Sequence, residues 1–93
     1  MSTTLAVEVV NGNPAERILV IAPSYRRFVY WCHENGISPH APNIRYADND
    51  QRLRGYHDAW YVNLGAPDTT AGLHLLRMLE HAKAARGFKS AER

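Results

Sequence analysis

Four residues that can bind an anion follow the most apolar segment of the chain, residues 18–22. They are Ser24, Tyr25, Arg26 and Arg27. Ser24 can cap a helix that begins at Tyr25, and the free amides and arginines at such a helix start can hold a phosphate or carboxylate. One hypothesis is therefore a nucleotide- or anion-binding module at this helix start. The same residues also fit a structural role, in which Ser24 only caps the helix and the arginines pair with Asp48 or Asp50.

Aromatic side chains are a second chemical feature, because five tyrosines and two tryptophans occur in 93 residues. A helix over residues 25–35 would turn a stripe with Phe28 and Cys32 toward the core. Tyr30 lies off this stripe and Trp31 lies at its margin. Because tyrosine, tryptophan and arginine are enriched at the centres of protein interfaces, the pattern favours a partner-binding surface of Arg26, Arg27, Tyr30 and Trp31. The alternative, in which Trp31 completes the core and Tyr30 lies flat on the surface, stays open here.

A second group of arginines and tyrosines lies further along the chain: Arg45, Tyr46, Arg52, Arg54 and Tyr56. Aromatic stacking combined with phosphate contacts is how proteins hold single-stranded nucleic acid, so such binding is a further alternative. Two observations speak against it. Asp48 and Asp50 lie within the group and would repel phosphates, and the net charge of +2 is too small to require a nucleic-acid partner.

Neither a metal site nor covalent catalysis is predicted. Zinc sites need three or four converging ligands, typically with close pairs such as Cys-x-x-Cys, and the five histidines and one cysteine form no such pair. Cys32 lies on the apolar stripe, which favours a buried small residue over a nucleophile. We therefore expect no enzyme activity, no cofactor and no metal. The single cysteine, with no signal peptide in residues 1–10, indicates a reducing, cytoplasmic compartment.

Strands and helices alternate along the chain. Strands are predicted over residues 5–10, 17–22, 44–47 and 59–64. Helices are predicted over residues 25–35, over a short turn at 49–53, and from about residue 70 to 86 with a buried stripe of Leu75, Leu76, Leu79 and Ala82. This order indicates an α/β fold, a miniature Rossmann-like three-layer sandwich with a parallel sheet. Residues 17–22 should be its central strand, flanked by 44–47 and 59–64, with 5–10 at an edge, either antiparallel or exchanged with a partner chain.

The length and composition indicate one domain over residues 1–93, with residues 1–3 and 88–93 as flexible ends. Hydrophobic residues make up 45% and charged residues 22% of the chain, which is sufficient for a core without disulfides. No run approaches the ~20 apolar residues that span a bilayer, so no membrane association is expected.

Residues 18–25 and 53–62 resemble parts of the RecA-like core of helicase and phage terminase motors. In those motors the first part is an apolar strand that runs into a helix, and the second is an Arg-Gly turn before the strand with an acidic metal-binding pair. This chain has no Gly-x-x-x-x-Gly-Lys-Ser/Thr phosphate loop, and Asn63, Leu64 and Gly65 stand where the acidic pair would be. The resemblance therefore implies the fold without nucleotide hydrolysis. In size and style the chain is also similar to small uncharacterised proteins of actinobacterial phages.

These observations together favour a non-enzymatic protein–protein interaction module, encoded by a phage and acting on a host protein. The partner is then a host protein or a second copy of this chain, because a domain this small gains stability from pairing. The anion-binding module and the single-stranded nucleic-acid binder are the two alternatives.

Overall fold

Strands alternate with helices along the part of the chain that the computed structural model describes, residues 17–91. The strands are β1 (Ile18–Ile21), β2 (Ile44–Ala47), β3 (Trp60–Asn63) and β4 (Lys89–Ser90). The helices are α1 (Tyr25–Glu34), a 3-10 helix (Asp50–Leu53) and α2 (Thr70–Ala85). The strand predicted over residues 5–10 and the end predicted at residues 1–3 lie outside the described residues.

All four strands are parallel and lie in the order β2-β1-β3-β4. Ile18 stands opposite Ile44 on one side and opposite Trp60 on the other, so β1 is the central strand, as the sequence predicts. The unbroken apolar run explains this position, because a strand covered on both faces has no polar face with which to alternate. The predicted α/β class and parallel sheet are confirmed.

The two faces of the sheet carry separate halves of the core. One face packs against α1, with the side chains of Ile18, Val20, Phe28, Trp31 and Cys32. The other packs against the 3-10 helix and α2, with the side chains of Leu19, Ile21, Leu53, Leu75 and Leu79. Successive side chains of β1 thus enter opposite halves, as strand geometry requires. This is the predicted three-layer sandwich.

The connections determine where the sheet opens. The chain passes from β1 to β2 over the α1 face, and then returns past β1 to β3 and on to β4 over the opposite face. The first crossover and the two later ones run in opposite directions across the sheet and also cover opposite faces. The three crossovers therefore have the same hand, as expected for a parallel sheet. The loops that follow β1 and β3 therefore leave the sheet toward opposite faces, at the position where α/β sheets commonly hold ligands.

Residues 88–91 differ from the flexible polar end that the sequence predicts. The Lys89 amide donates to the Ala59 carbonyl at 2.9 Å, and the Ala91 amide donates to the Tyr61 carbonyl at 2.8 Å. Phe88 and Ala91 are buried, so the strand is anchored by apolar side chains on both sides. A two-residue strand is too short to give an alternating pattern, which is why the sequence does not reveal β4. Residues 92–93 lie outside the described residues.

Gly72 permits a close approach between α2 and the loop that precedes it. A Cβ atom at this position would overlap the Pro67 carbonyl group. Thr69 caps the same helix, and its hydroxyl accepts a hydrogen bond from the Gly72 amide at 3.0 Å. Two contacts therefore hold the loop after β3 against the first turn of α2: the close packing of Pro67 on Gly72, and the hydrogen bond between the Gly72 amide and the Thr69 hydroxyl.

Gly72→Ala is expected to lower the free energy of unfolding by about 2 kcal/mol, as in other overpacked sites. A loss of stability is informative, because replacing glycine by alanine in an ordinary helix interior stabilises the protein by about 1 kcal/mol. Urea unfolding measures the change. Gly36→Ala is the control, since Gly36 has a φ of +67° but no neighbour within 4 Å, and its cost should stay near about 1 kcal/mol. A Gly72→Ala protein as stable as the wild type would contradict the close approach.

Candidate functional site

The outer face of α1 carries two of the residues predicted to bind a partner. Arg26 is exposed, and Tyr30 is 61% exposed, one helical turn further on. Arg27 lies at the margin, with its guanidinium 5.8 Å from the Tyr30 ring centroid and 3.6 Å from the Glu34 carboxylate. Arg27 therefore supports the orientation of Tyr30, whereas Arg26 and Tyr30 face solvent.

Trp31 is a core residue, which settles the alternative that the sequence left open. Its side chain is only 5% exposed and packs in the cluster that also holds Phe28 and Cys32. The connector after α1 folds back, with the Ile37 amide donating to the Cys32 carbonyl at 2.8 Å and the Ile37 side chain buried in the same cluster. This connector widens the buried face of α1 beyond the helical stripe. Trp31 is thus not available to a partner in this fold.

The helix start is occupied by its own cap. The Ser24 hydroxyl accepts from the Arg27 amide at 3.2 Å, as predicted for an N-cap. The Arg27 guanidinium is near Glu34, two turns from the amides that an anion would meet. Tyr25 and Arg26 are exposed at this end, so only part of the predicted anion-binding set is brought together.

The alternative in which the α1 arginines pair with Asp48 or Asp50 is wrong. Asp48 lies 3.9 Å from Arg52, and Asp50 lies 3.8 Å from Arg54, each one helical turn away along the chain. Both pairs are largely exposed and contribute at most about 1 kcal/mol. Local spacing determined these pairs, because residues four apart meet without any help from the tertiary fold.

The group predicted to bind single-stranded nucleic acid is divided between the two faces of the sheet. Tyr46 packs beside the α1 half of the core, whereas Tyr56 packs against the α2 half. Arg54 is engaged with Asp50. The two tyrosines therefore do not form one stacking platform.

Three residues of this group, Arg45, Tyr46 and Arg52, instead join Tyr25 from the helix start in an open cavity of about 480 Å³. Its floor is an aromatic cluster in which the ring centroids of Tyr25, Phe28 and Tyr46 lie 5.4–5.6 Å apart. Its other lining residues are Pro39, Ala41 and the buried Ile44, with the exposed His40, Arg45 and Arg52 at the rim. We call this cavity the aromatic groove. Sequence reasoning missed it because the cluster forms only when β2 lies beside β1 and α1 covers both.

The aromatic groove has a basic lining, and one carboxylate, that of Asp48, lies beside it at 3.9 Å from Arg52. Its lining contains two arginines and a histidine but no carboxylate. The Arg45 guanidinium donates one hydrogen bond to the Ile44 carbonyl at 2.8 Å, which holds the guanidinium close to β2. Burial raises the pKa of the Tyr46 phenol, and the nearby Asp48 carboxylate raises it further. The Tyr46 phenol thus stays uncharged at neutral pH, while Arg45 and Arg52 supply positive charge.

Comparison with protein-family models, curated proteins and solved structures finds no match to this chain. Within residues 17–91, no three histidine, cysteine or acidic side chains are grouped so that they could hold a metal ion. No helix of the described part has the length and apolar character needed to cross a membrane.

The Tyr30 and Trp31 side chains should respond in opposite ways to truncation. Trp31→Ala is expected to cost about 3–5 kcal/mol of stability, because it empties a buried site. Tyr30→Ala should change stability by no more than about 0.5 kcal/mol, because the ring is mostly exposed. Thermal and urea unfolding of both variants provide the measurement. Equal losses in the two variants would be inconsistent with this placement.

Cys32 should be unreactive in the folded protein. Burial raises the pKa of its thiol to about 11 from 9.0, so only about one thiol in a thousand is ionised at pH 8. Iodoacetamide should therefore label the native protein slowly at pH 8 and the urea-unfolded protein quickly. The folded thiol keeps its proton where the unfolded one has lost it, so this group lowers stability as pH rises from about 9 to about 11. Rapid native labelling would argue against a buried thiol.

Proposed function

We propose that this protein is a non-enzymatic module that binds another protein through the outer face of α1. One observation carries the proposal. Among the described residues, three large apolar or aromatic side chains are exposed, namely Tyr25, Tyr30 and Leu73, and two of them belong to α1. Arg26 and Arg27 lie between these two tyrosines. Exposed tyrosine beside arginine is the composition of interface hot spots.

Two further observations support binding rather than catalysis. The only cysteine, Cys32, is buried with a raised thiol pKa, so it is a poor nucleophile. The helix start that would hold an anion has its Arg27 amide capped by Ser24 and its Arg27 side chain beside Glu34. The anion-binding alternative therefore has less support than a protein interface.

The partner we propose is a host protein, with the module itself encoded by a phage. This part of the proposal depends on the resemblance in size and style to small phage proteins. A host-protein partner is best sought in a bacterial lysate, treated with nuclease to remove nucleic acid that could bridge two proteins.

An affinity-tagged protein should capture one dominant protein from this lysate, identified by mass spectrometry. Arg26→Glu combined with Tyr30→Ala should reduce the capture at least about tenfold, because the pair is central to the surface. The matched control combines Arg77→Glu with Leu73→Ala on α2, which also removes one exposed arginine and one exposed large side chain four residues apart. This control should capture as the wild type does.

The proposal fails if capture is absent, or if the α1 and α2 double variants capture equally well. Thermal unfolding of each variant excludes loss of fold as the cause of lost capture. Sedimentation of the purified wild type shows whether a second copy of the chain occupies the surface instead of a host protein.

A further inference from the structure

We propose that the aromatic groove binds an acidic, extended segment of the partner, with one apolar or aromatic side chain seated on Tyr25, Phe28 and Tyr46. This inference deepens the proposed function and rests on it, because it assigns a second contact to the same partner. Tyr25 is 50% exposed and lies in the first turn of α1, so the groove adjoins the surface formed by Arg26 and Tyr30.

The floor of the groove is suited to an apolar or aromatic side chain. Tyr25 and Tyr46 meet edge to face, with an angle of 74° between their ring planes, and Phe28 completes the cluster beneath them. Further aromatic rings add to such clusters at similar tilted geometries. The volume of about 480 Å³ falls within the usual range of ligand-binding clefts.

The rim selects negative charge. Arg45 uses one of its donors on the Ile44 carbonyl, and its remaining donors can reach a carboxylate. The Arg52 side chain is 64% exposed, and its contact with Asp48 is a weak one at 3.9 Å. A partner carboxylate can replace that contact at little cost and gain bidentate geometry. The lining itself contains no carboxylate, so the nearest repulsion that an acidic segment meets comes from Asp48, which lies beside Arg52.

The edge of the sheet favours an extended segment held mainly by side chains. Among the described residues β2 is an outer strand, and the Asn43 carbonyl accepts from the Ile18 amide. Strand alternation then turns the Ile44 and Tyr46 backbones away from β1. Ile44 is already satisfied, since its amide donates to Ala41 and its carbonyl accepts from Arg45. The Tyr46 backbone is the remaining group of β2 that faces outward, so the partner can gain at most one rung of backbone pairing.

A polypeptide fits these features better than a nucleotide or a nucleic acid. Small-molecule sites enclose the ligand and fix it with a few convergent polar groups. The aromatic groove is open, and its arginines are exposed. A nucleic-acid backbone that follows the arginines would pass Asp48 and Asp50, which adjoin Arg52 and Arg54. A short acidic segment that pairs with Arg45 and Arg52 meets Asp48 but can end before it reaches Asp50.

Selection from a phage-displayed library of random peptides tests the inference without knowledge of the partner. Peptides enriched on the wild type should contain several Asp or Glu residues and at least one aromatic or branched apolar residue. Binding of the enriched peptides should fall at least about tenfold in the Arg45→Gln/Arg52→Gln variant. It should also weaken when NaCl rises from about 0.1 M to about 0.5 M, because the contacts are exposed.

The matched control is Arg54→Gln/Arg77→Gln, which removes the same charge outside the groove and should bind as the wild type does. Thermal unfolding confirms that both double variants are folded. The inference is overturned if no peptide is enriched, if enriched peptides are neutral or basic, or if the two double variants bind equally well. Displacement of the peptides by ATP or by single-stranded oligothymidylate at micromolar concentration would also overturn it, in favour of a nucleotide or nucleic-acid site.

The capture experiment separates this inference from the proposed function. If Arg45→Gln/Arg52→Gln retains the partner while Arg26→Glu/Tyr30→Ala loses it, the module binds proteins but the groove is not part of the interface. If neither double variant loses the partner, the proposed function itself fails. If both lose it, the partner spans the α1 surface and the aromatic groove.

Discussion

Burial of β1 on every side is the constraint on which the rest of the structure depends. Its four side chains are fully buried, and its backbone pairs with β2 on one edge and β3 on the other. A strand that is apolar on both faces needs a layer of helix on each, so α1 and α2 must lie on opposite sides of the sheet. Both proposed contact surfaces follow, because α1 and β2 are positioned by what β1 requires.

Much of this fold is readable from local patterns. The unbroken apolar run at residues 18–22 identifies the central strand, and Ser24 marks the beginning of α1 through its side-chain cap. Features that arise from distant contacts are not readable. The short β4 has no period of its own, and Trp31 is buried because the connector carrying Ile37 folds over the end of α1. The helical stripe alone places Trp31 at the boundary between core and surface. The connector after α1 determines that Trp31 lies on the core side.

The candidate site shows the same division more sharply. Sequence reasoning identified an arginine and aromatic cluster at the start of α1 and a second one around β2. It grouped each by nearness along the chain, whereas the fold joins Tyr25 from the first with Tyr46 from the second and sends Tyr56 to the other face. Side-chain direction on β2 decides this outcome, because Tyr46 turns toward α1 only in the register that places it beside Val20. The positions of partly exposed side chains such as Arg27 depend on weaker contacts, which the periodicity of the sequence does not reveal.

The parallel order of the strands also has a kinetic meaning. Ile18 pairs with Ile44 and Trp60, and Trp60 pairs with Lys89, so the described sheet contains no hairpin that could form early from neighbouring residues. Each pair of strands can form only after a long loop has closed, and the entropy of that closure is lost before the strand contacts stabilise the chain. The chain is therefore expected to fold more slowly than a helical protein of equal length. While it folds, the apolar β1 segment stays exposed to other chains until both flanking strands have arrived.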